Sequence, residues 1–277
     1  MNAQLRRVSI TGTGSFLPND PVPNHRIDEV LGSLDDAPAS VKSFIATAGA
    51  RMLAESGIET RHFAIDPQTH RLTHTVASLG EEACRRALDR AGNTPGEVEL
   101  LILASSNYDA STPPTSTLLQ ERLGIKTCME MEIHANCSGV GKAVQIAYDA
   151  LRLGRVNTAL VVYPQLSSVY LRSCYFNQTR MTKKQAALRY ILADGAGAMV
   201  LEAVNWPADQ QVPHEIIGTF VESVGGDRAP GMTAGGGVAN LADPDKQIPF
   251  IYAEGMHHLS QDFTAVHRDA ARLLYEG

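Results

Sequence analysis

Cys137 sits in the run Ile133-His134-Ala135-Asn136-Cys137-Ser138-Gly139-Val140-Gly141. On its N-terminal side, Cys128–Ile133 reads as a short apolar and β-branched strand. On its C-terminal side, Val140, Val144, Ala147 and Leu151 recur at helical spacing, with Lys142, Gln145, Asp149 and Arg152 on the opposite face. The pattern therefore places a thiol at a strand-to-helix junction. Unpaired amides and the positive dipole end of a helix stabilise a thiolate, which is the nucleophilic form of cysteine. Gly139 and Gly141 are expected to let a substrate approach the backbone. Free cysteines as a class are buried packing residues, so position rather than residue type carries this reading.

The elements that must hold this thiol alternate between two periodicities. Arg7–Leu17 reads as a strand, stopped by Pro18-Asn19-Asp20-Pro21. Asn24 is placed to cap a short helix reaching Leu31, and residues 40–55 form a second helix closed by Gly57. Residues 58–65 read as extended. Thr73–Arg90 is a helix with Val76, Leu79, Ala83 and Ala87 inward. Val98–Ala104 is a nearly continuous apolar run, as a strand buried on both faces requires. Pro113-Pro114 opens a helix through Leu123, and Thr158–Tyr163 is a further buried strand that Pro164 breaks.

Residues 167–188 read as a polar surface excursion, and the stretch through Val204 as a tight turn feeding an apolar strand. Residues 205–213 are a candidate linker, 214–224 a strand and 225–249 a long loop. Residues 252–275 form a last helix with Leu259, Phe263, Val266 and Ala270 on one face. Strands alternating with helices imply an α/β fold, its sheet rich in parallel pairs and covered on both faces.

Bulk properties exclude several classes. A chain of 277 residues is long enough for one large or two small domains with a sizeable core. It is 44% hydrophobic and 19% charged, an ordinary globular balance. A net charge of −6, with no long basic block, gives no nucleic-acid footprint. No apolar run approaches membrane-spanning length, and the N-terminus has no signal-peptide core, so no membrane partner is expected. The four cysteines at 84, 128, 137 and 174 show neither CxxC nor His/Cys ligand spacing. The reading therefore includes no metal and no cofactor, with reduced thiols in a cytoplasmic protein.

Four passages, in order, resemble the β-ketoacyl-acyl-carrier-protein synthase III (ketosynthase III-like) family of the thiolase superfamily. They are Ile10-Thr11-Gly12-Thr13-Gly14-Ser15-Phe16-Leu17-Pro18, Gly57-Ile58-Glu59-Thr60-Arg61-His62, Asn136-Cys137-Ser138-Gly139 and Ala193-Asp194-Gly195-Ala196-Gly197-Ala198. The resemblance covers about residues 6–205 and is looser over 214–277. It implies a thiolase fold: two related βαβ-type halves, with mixed central sheets covered by helices. Residues 1–205 would be the N-terminal half carrying the nucleophile, and 206–277 the first part of an incomplete second half. In such enzymes the motif cysteine, here Cys137, takes an acyl group from an acyl-carrier-protein or acyl-CoA thioester. The acyl group then passes to a malonyl thioester by decarboxylative condensation, or to an alcohol or amine. The family also implies a homodimer.

Departures from the family pattern sharpen the expectation. The family's histidine and its asparagine (or aspartate) follow the helix that ends here at Gly277, so neither is assigned. His134 is too close to Cys137 along one strand to be that base, and His257, His258 and His267 are expected to be surface or packing residues. A complementary C-terminal segment on another chain, or a cleaved product, is the expected complement. The tryptophan that stacks on the adenine of CoA in many relatives is absent from its place, since the single tryptophan is Trp206. The stretch Asn107-Tyr108-Asp109-Ala110-Ser111-Thr112-Pro113 matches a loop that reaches the partner's acyl pocket. Thr112 falls where acetyl-primed relatives carry phenylalanine, which implies room for a larger acyl group. A contrasting reading is a non-catalytic partner subunit of an active paralogue.

Overall fold

Apolar runs bounded by glycine and proline fold where the sequence places them along most of the N-terminal two thirds. The computed structural model describes residues 5–207, 209–225 and 229–276. In chain order its elements begin with β1 (Arg7–Phe16), β2 (Val22–Pro23), α1 (Ile27–Leu31), α2 (Ala39–Phe44), α3 (Ala50–Ser56), β3 (Thr60–Arg61) and α4 (Val76–Ala91). There follow β4 (Leu100–Ser105), α5 (Thr115–Leu123), β5 (Met129–His134), α6 (Gly139–Arg152), β6 (Thr158–Leu166), α7 (Lys183–Leu188) and β7 (Asp194–Val204). The last are β8 (Met232–Thr233), α8 (Val238–Leu241), α9 (Ile248–Ala253), β9 (Ser260–Gln261) and α10 (Phe263–Glu276).

The chain divides into two units, each built from three stretches. The first comprises residues 1–18, 72–166 and 194–222, and the second the remainder. This is a division by packing, and differs in kind from the division into repeated halves expected at 205/206.

The first unit holds a five-stranded mixed sheet in the order β1-β7-β6-β4-β5. β1 and β6 pair antiparallel with β7, while β4 pairs parallel with both β5 and β6. β4 is buried at every position, because the apolar run Leu100-Leu101-Ile102-Leu103-Ala104 has neighbours on both edges and both faces. On one face Leu100, Ile102 and Ala104 pack with Ala143, Ala147 and Leu151 of α6. On β1, Gly12 and Gly14 allow α4 to approach the backbone itself. A Cβ at Gly14 would lie 2.1 Å from the Ala83 carbonyl oxygen, and one at Gly12 would lie 2.3 Å from that of Ala87.

The second unit has a core of Ile27, Val30, Leu31, Phe63, Ile65, Leu171 and Leu188, and a neighbouring cluster of Leu34, Ala37, Val41, Phe176, Met181 and Ala186. Residues 167–188 are therefore not a surface excursion. Their polar sequence hides Leu171, Phe176, Met181, Ala186 and Leu188 at irregular spacing, and all five are buried. The guanidinium of the fully buried Arg189 donates to the Leu171 and Gly32 carbonyls, both at 2.6 Å, and to Asp28 at 2.8 Å.

Other expectations need correction. β6 continues through Pro164 to Leu166, because its β4 neighbour pairs only as far as Val162, so the missing N–H costs no bond on that side. Asn24 caps no helix; its amide bonds the Ile58 carbonyl and its oxygen accepts from Arg61. Residues 205–213 are not a free linker, since the Pro207, Gln210 and Pro213 carbonyls accept from Arg7 and Ser9 of β1. Residues 214–224 form one bridge, Ser9 to Glu215, rather than a strand. Beyond it Ile217 and Phe220 are exposed. The last helix starts at Phe263 rather than at 252, because Gly255, at φ 65°, ends α9 and Asp262 caps α10 through the amides of Thr264 and Ala265.

Candidate active site

β5 ends at His134, and Cys137 stands exposed two residues before the first residue of α6. The amide of Ala135 donates to the Ser105 carbonyl at 3.1 Å, which fixes the crossing from β5 against the end of β4. The Gly139 amide then closes a turn on the Asn136 carbonyl at 2.8 Å, and that of Lys142 reaches the Ser138 carbonyl at 3.3 Å. The amides of Val140 and Gly141 fall in the first turn, where a helix supplies no carbonyl of its own. A thiol placed there has donors and a positive dipole end nearby for negative charge on sulfur or on a tetrahedral oxygen.

The two glycines of the motif differ in role. A Cβ at Gly139 would meet Ala104 at 3.2 Å and the Tyr163 ring at 3.4 Å, so this glycine lets α6 pack onto β4 and β6. Gly141 has open space where a Cβ would stand, and it alone fits the expected access for a substrate.

The other cysteines lack this setting. Burial pushes the Cys84 thiol far up, and burial with the Glu130 charge raises that of Cys128, disfavouring both thiolates. Cys174 is exposed but lies in irregular chain before the turn at Gln178–Arg180, with no α-helix beginning beside it.

Thr112 is exposed in the segment between β4 and α5. That segment and Cys137 both follow the carboxyl ends of adjacent parallel strands, the usual place for a ligand in an α/β sheet. The Tyr108 ring packs on His134, with centroids 5.9 Å apart, and so brings the segment beside the approach to Cys137. His134 is exposed at the end of β5. His257 and His258 lie between α9 and β9 in the second unit, not on a helix, and both are packing residues. His257 stacks on Tyr252, and His258 is buried against Phe176.

The sequence reading missed a polar group beside the nucleophile. Tyr163 and Gln165, two apart on β6, share one face and join Ser106 and Asn107 in a hydrogen-bonded set. A spacing of two at the end of the buried strand Thr158–Tyr163 was the available signal, and reading Pro164 as the end of that strand concealed it. Among the described residues, no group of three or more His, Cys, Asp or Glu side chains is placed to hold a metal ion. No helix among them is long and apolar enough to cross a membrane.

A mixed central sheet packed by helices matches the thiolase fold, and solved structures share that fold. AbyA1, a tetronic acid condensing enzyme, is 26% identical with a TM-score of 0.71, over 97% of this chain and 72% of that one. The 3-oxoacyl-acyl-carrier-protein synthase III of Pseudomonas aeruginosa, 21% identical, has a TM-score of 0.69 over 96% of this chain and 67% of that one. The sequence model of 3-oxoacyl-acyl-carrier-protein synthase III matches residues 131–220. The β-ketoacyl-acyl-carrier-protein synthase III of Methylococcus capsulatus is 33% identical over 198 residues, 72% of this chain. The chain is a relative of the β-ketoacyl-acyl-carrier-protein synthase III family, and it spans 52% of the length of that curated relative.

Proposed function

We propose that this chain carries the nucleophile of a ketosynthase III-like acyltransferase. The carrying observation is the exposed Cys137 immediately before α6, within the family's motif. Its thiolate attacks an acyl-carrier-protein or acyl-CoA thioester. A carbon–sulfur bond forms to Cys137, and the carrier thiol leaves with a proton. First-turn amides of α6 are suited to hold the developing oxyanion. The acyl group then passes to an acceptor, by decarboxylative condensation with a malonyl thioester or by ester or amide formation. The likeness to a tetronic acid condensing enzyme supports a condensing role.

In this reading, residues 1–205 are the half that carries the nucleophile, and the second half begins at 206. The protein acts in the cytoplasm as a homodimer, with Thr112 facing the acyl group. A non-catalytic partner subunit has no use for an exposed cysteine at this junction, which weighs against that alternative.

The test separates the two transfers. Protein acylated at Cys137 is offered a malonyl thioester, then an alcohol or amine, and released carbon dioxide and product are measured. Carbon dioxide with a lengthened acyl product supports condensation, and an ester or amide without it supports simple transfer. No acylation of Cys137 removes both.

A further inference from the structure

Three elements meet beside Cys137, and one side chain joins them. A Cβ added at Gly139, the first residue of α6, would come within 3.4 Å of the Tyr163 ring, so the ring borders the start of that helix. Its hydroxyl donates to Gln165 Oε1 at 3.2 Å, and the Ser106 hydroxyl donates to the same oxygen at 2.8 Å. Gln165 Nε2 donates to Asn107 Oδ1 at 2.8 Å, and that oxygen also accepts the Leu166 amide at 2.9 Å. The orientation of both amides is thereby set: each oxygen faces donors, and the Gln165 nitrogen faces an acceptor. Below them the buried Ser105 hydroxyl donates to the Pro164 carbonyl at 2.8 Å and accepts the Asn107 amide at 3.0 Å. The end of β6 is thus tied to the turn after β4 by side chains as well as by the sheet. Tyr163 carries that tie to the start of α6.

We infer that Tyr163 is a positioning residue for Cys137: anchored by its hydroxyl through Gln165 to Ser106 and Asn107, its ring holds the first turn of α6, and with it the thiol, in the geometry that acylation needs. The inference rests on the reading that Cys137 takes the acyl group. Tyr163 itself exchanges no proton in that step. Its phenol is pushed up to about 12, first by burial and then by the charge of Cys137, so it remains a neutral donor at neutral pH.

The experiment compares the whole chain with Tyr163→Phe, Gln165→Met and the double variant, using butyryl-CoA as probe. The rate of adduct formation on Cys137 is followed by mass spectrometry across probe concentrations. Each single variant is expected to lower the maximal rate about tenfold while leaving the half-saturating concentration unchanged, as lost positioning does. The double variant should lose no more than either single one, because the two side chains act through one anchor. Hydrogen exchange gives a second readout that needs no substrate. The amides of residues 138–142 should exchange at least about threefold faster in Tyr163→Phe, with those of 146–152 unchanged. A Tyr163→Phe protein with native acylation and native exchange overturns the inference, and so does a double variant whose losses multiply. If native protein is not acylated at Cys137, the proposed function fails, and the exchange readout alone decides whether Tyr163 anchors α6.

Discussion

Asp109 caps a helix it does not belong to: its Oδ1 accepts the Val76 amide at 2.7 Å and its Oδ2 accepts the Ala77 amide at 2.9 Å. Thr75 takes the next amide, that of Ser78, at 3.2 Å, so the first turn of α4 is satisfied by two side chains from distant points in the chain. The bond also fixes the segment that carries Thr112. Asp109→Ala should therefore cost about 1–3 kcal/mol, the scale of leaving two part-buried amides unpaired. Asp109→Asn, with one acceptor oxygen, should recover part of that loss. Urea unfolding of the three proteins measures the order, and an Asp109→Ala protein as stable as the native one contradicts the cap.

The contact of α4 with β1 gives a sharper test of packing. Alanine at Gly14 would put a Cβ 2.1 Å from the Ala83 carbonyl oxygen, so helix and strand must separate. At Gly197 nothing lies within 4 Å of the added carbon. Gly14→Ala should destabilise by about 3 kcal/mol or more, since a backbone cannot move aside as a side chain does. Gly197→Ala should stay within about 0.5 kcal/mol of native. Equal melting temperatures for the two variants contradict the close approach.

These two relationships mark how far the sequence was legible. β4, α4 and the β5–α6 junction follow from local periodicity, and Cys137 follows from its place between two of them. Gly14 was visible as part of a motif, but its reason, the Ala83 carbonyl, lies some seventy residues away. The misread stretches depend on tertiary context in the same way. Residues 167–188 bury apolar side chains at irregular intervals, so no period betrays them. Ile217 and Phe220 have the residue types of a strand but no partner strand among the described residues. Residues 252–262 share an apolar face with α10, and the positive φ of Gly255 breaks the helix all the same.

His258 predicts a pH dependence in the second unit. It is buried, its Nε2 accepts the Asn177 amide at 2.9 Å, and its Nδ1 lies 3.3 Å from Gln185 Oε1. Burial first, and His257 second, lower its pKa from 6.5 to about 4. A depressed value means that the unfolded chain takes up the proton first. The stability due to neutral His258 is therefore complete above about pH 6.5 and drains away as pH falls toward 4. Melting temperature should decline over this window, and the decline should be shallower in His258→Gln. Identical slopes for the two proteins contradict the assignment.

Thr112 predicts chain-length selection. A small, exposed side chain in the segment expected to reach the partner's acyl pocket leaves room that a ring would fill. Thr112→Phe should lower acylation by octanoyl-CoA about tenfold more than acylation by acetyl-CoA, the scale of steric discrimination in an apolar site. Equal losses for both probes would remove Thr112 from the acyl site.

The central claim is that Cys137 is the acyl-accepting nucleophile, and one measurement addresses it directly. The chain is incubated with an acyl thioester, its intact mass is recorded and its cysteine peptides are mapped. The account predicts one added acyl mass, on the peptide containing Cys137, and none in Cys137→Ala. Label on Cys84, Cys128 or Cys174 instead, or an adduct that persists in Cys137→Ala, would contradict it.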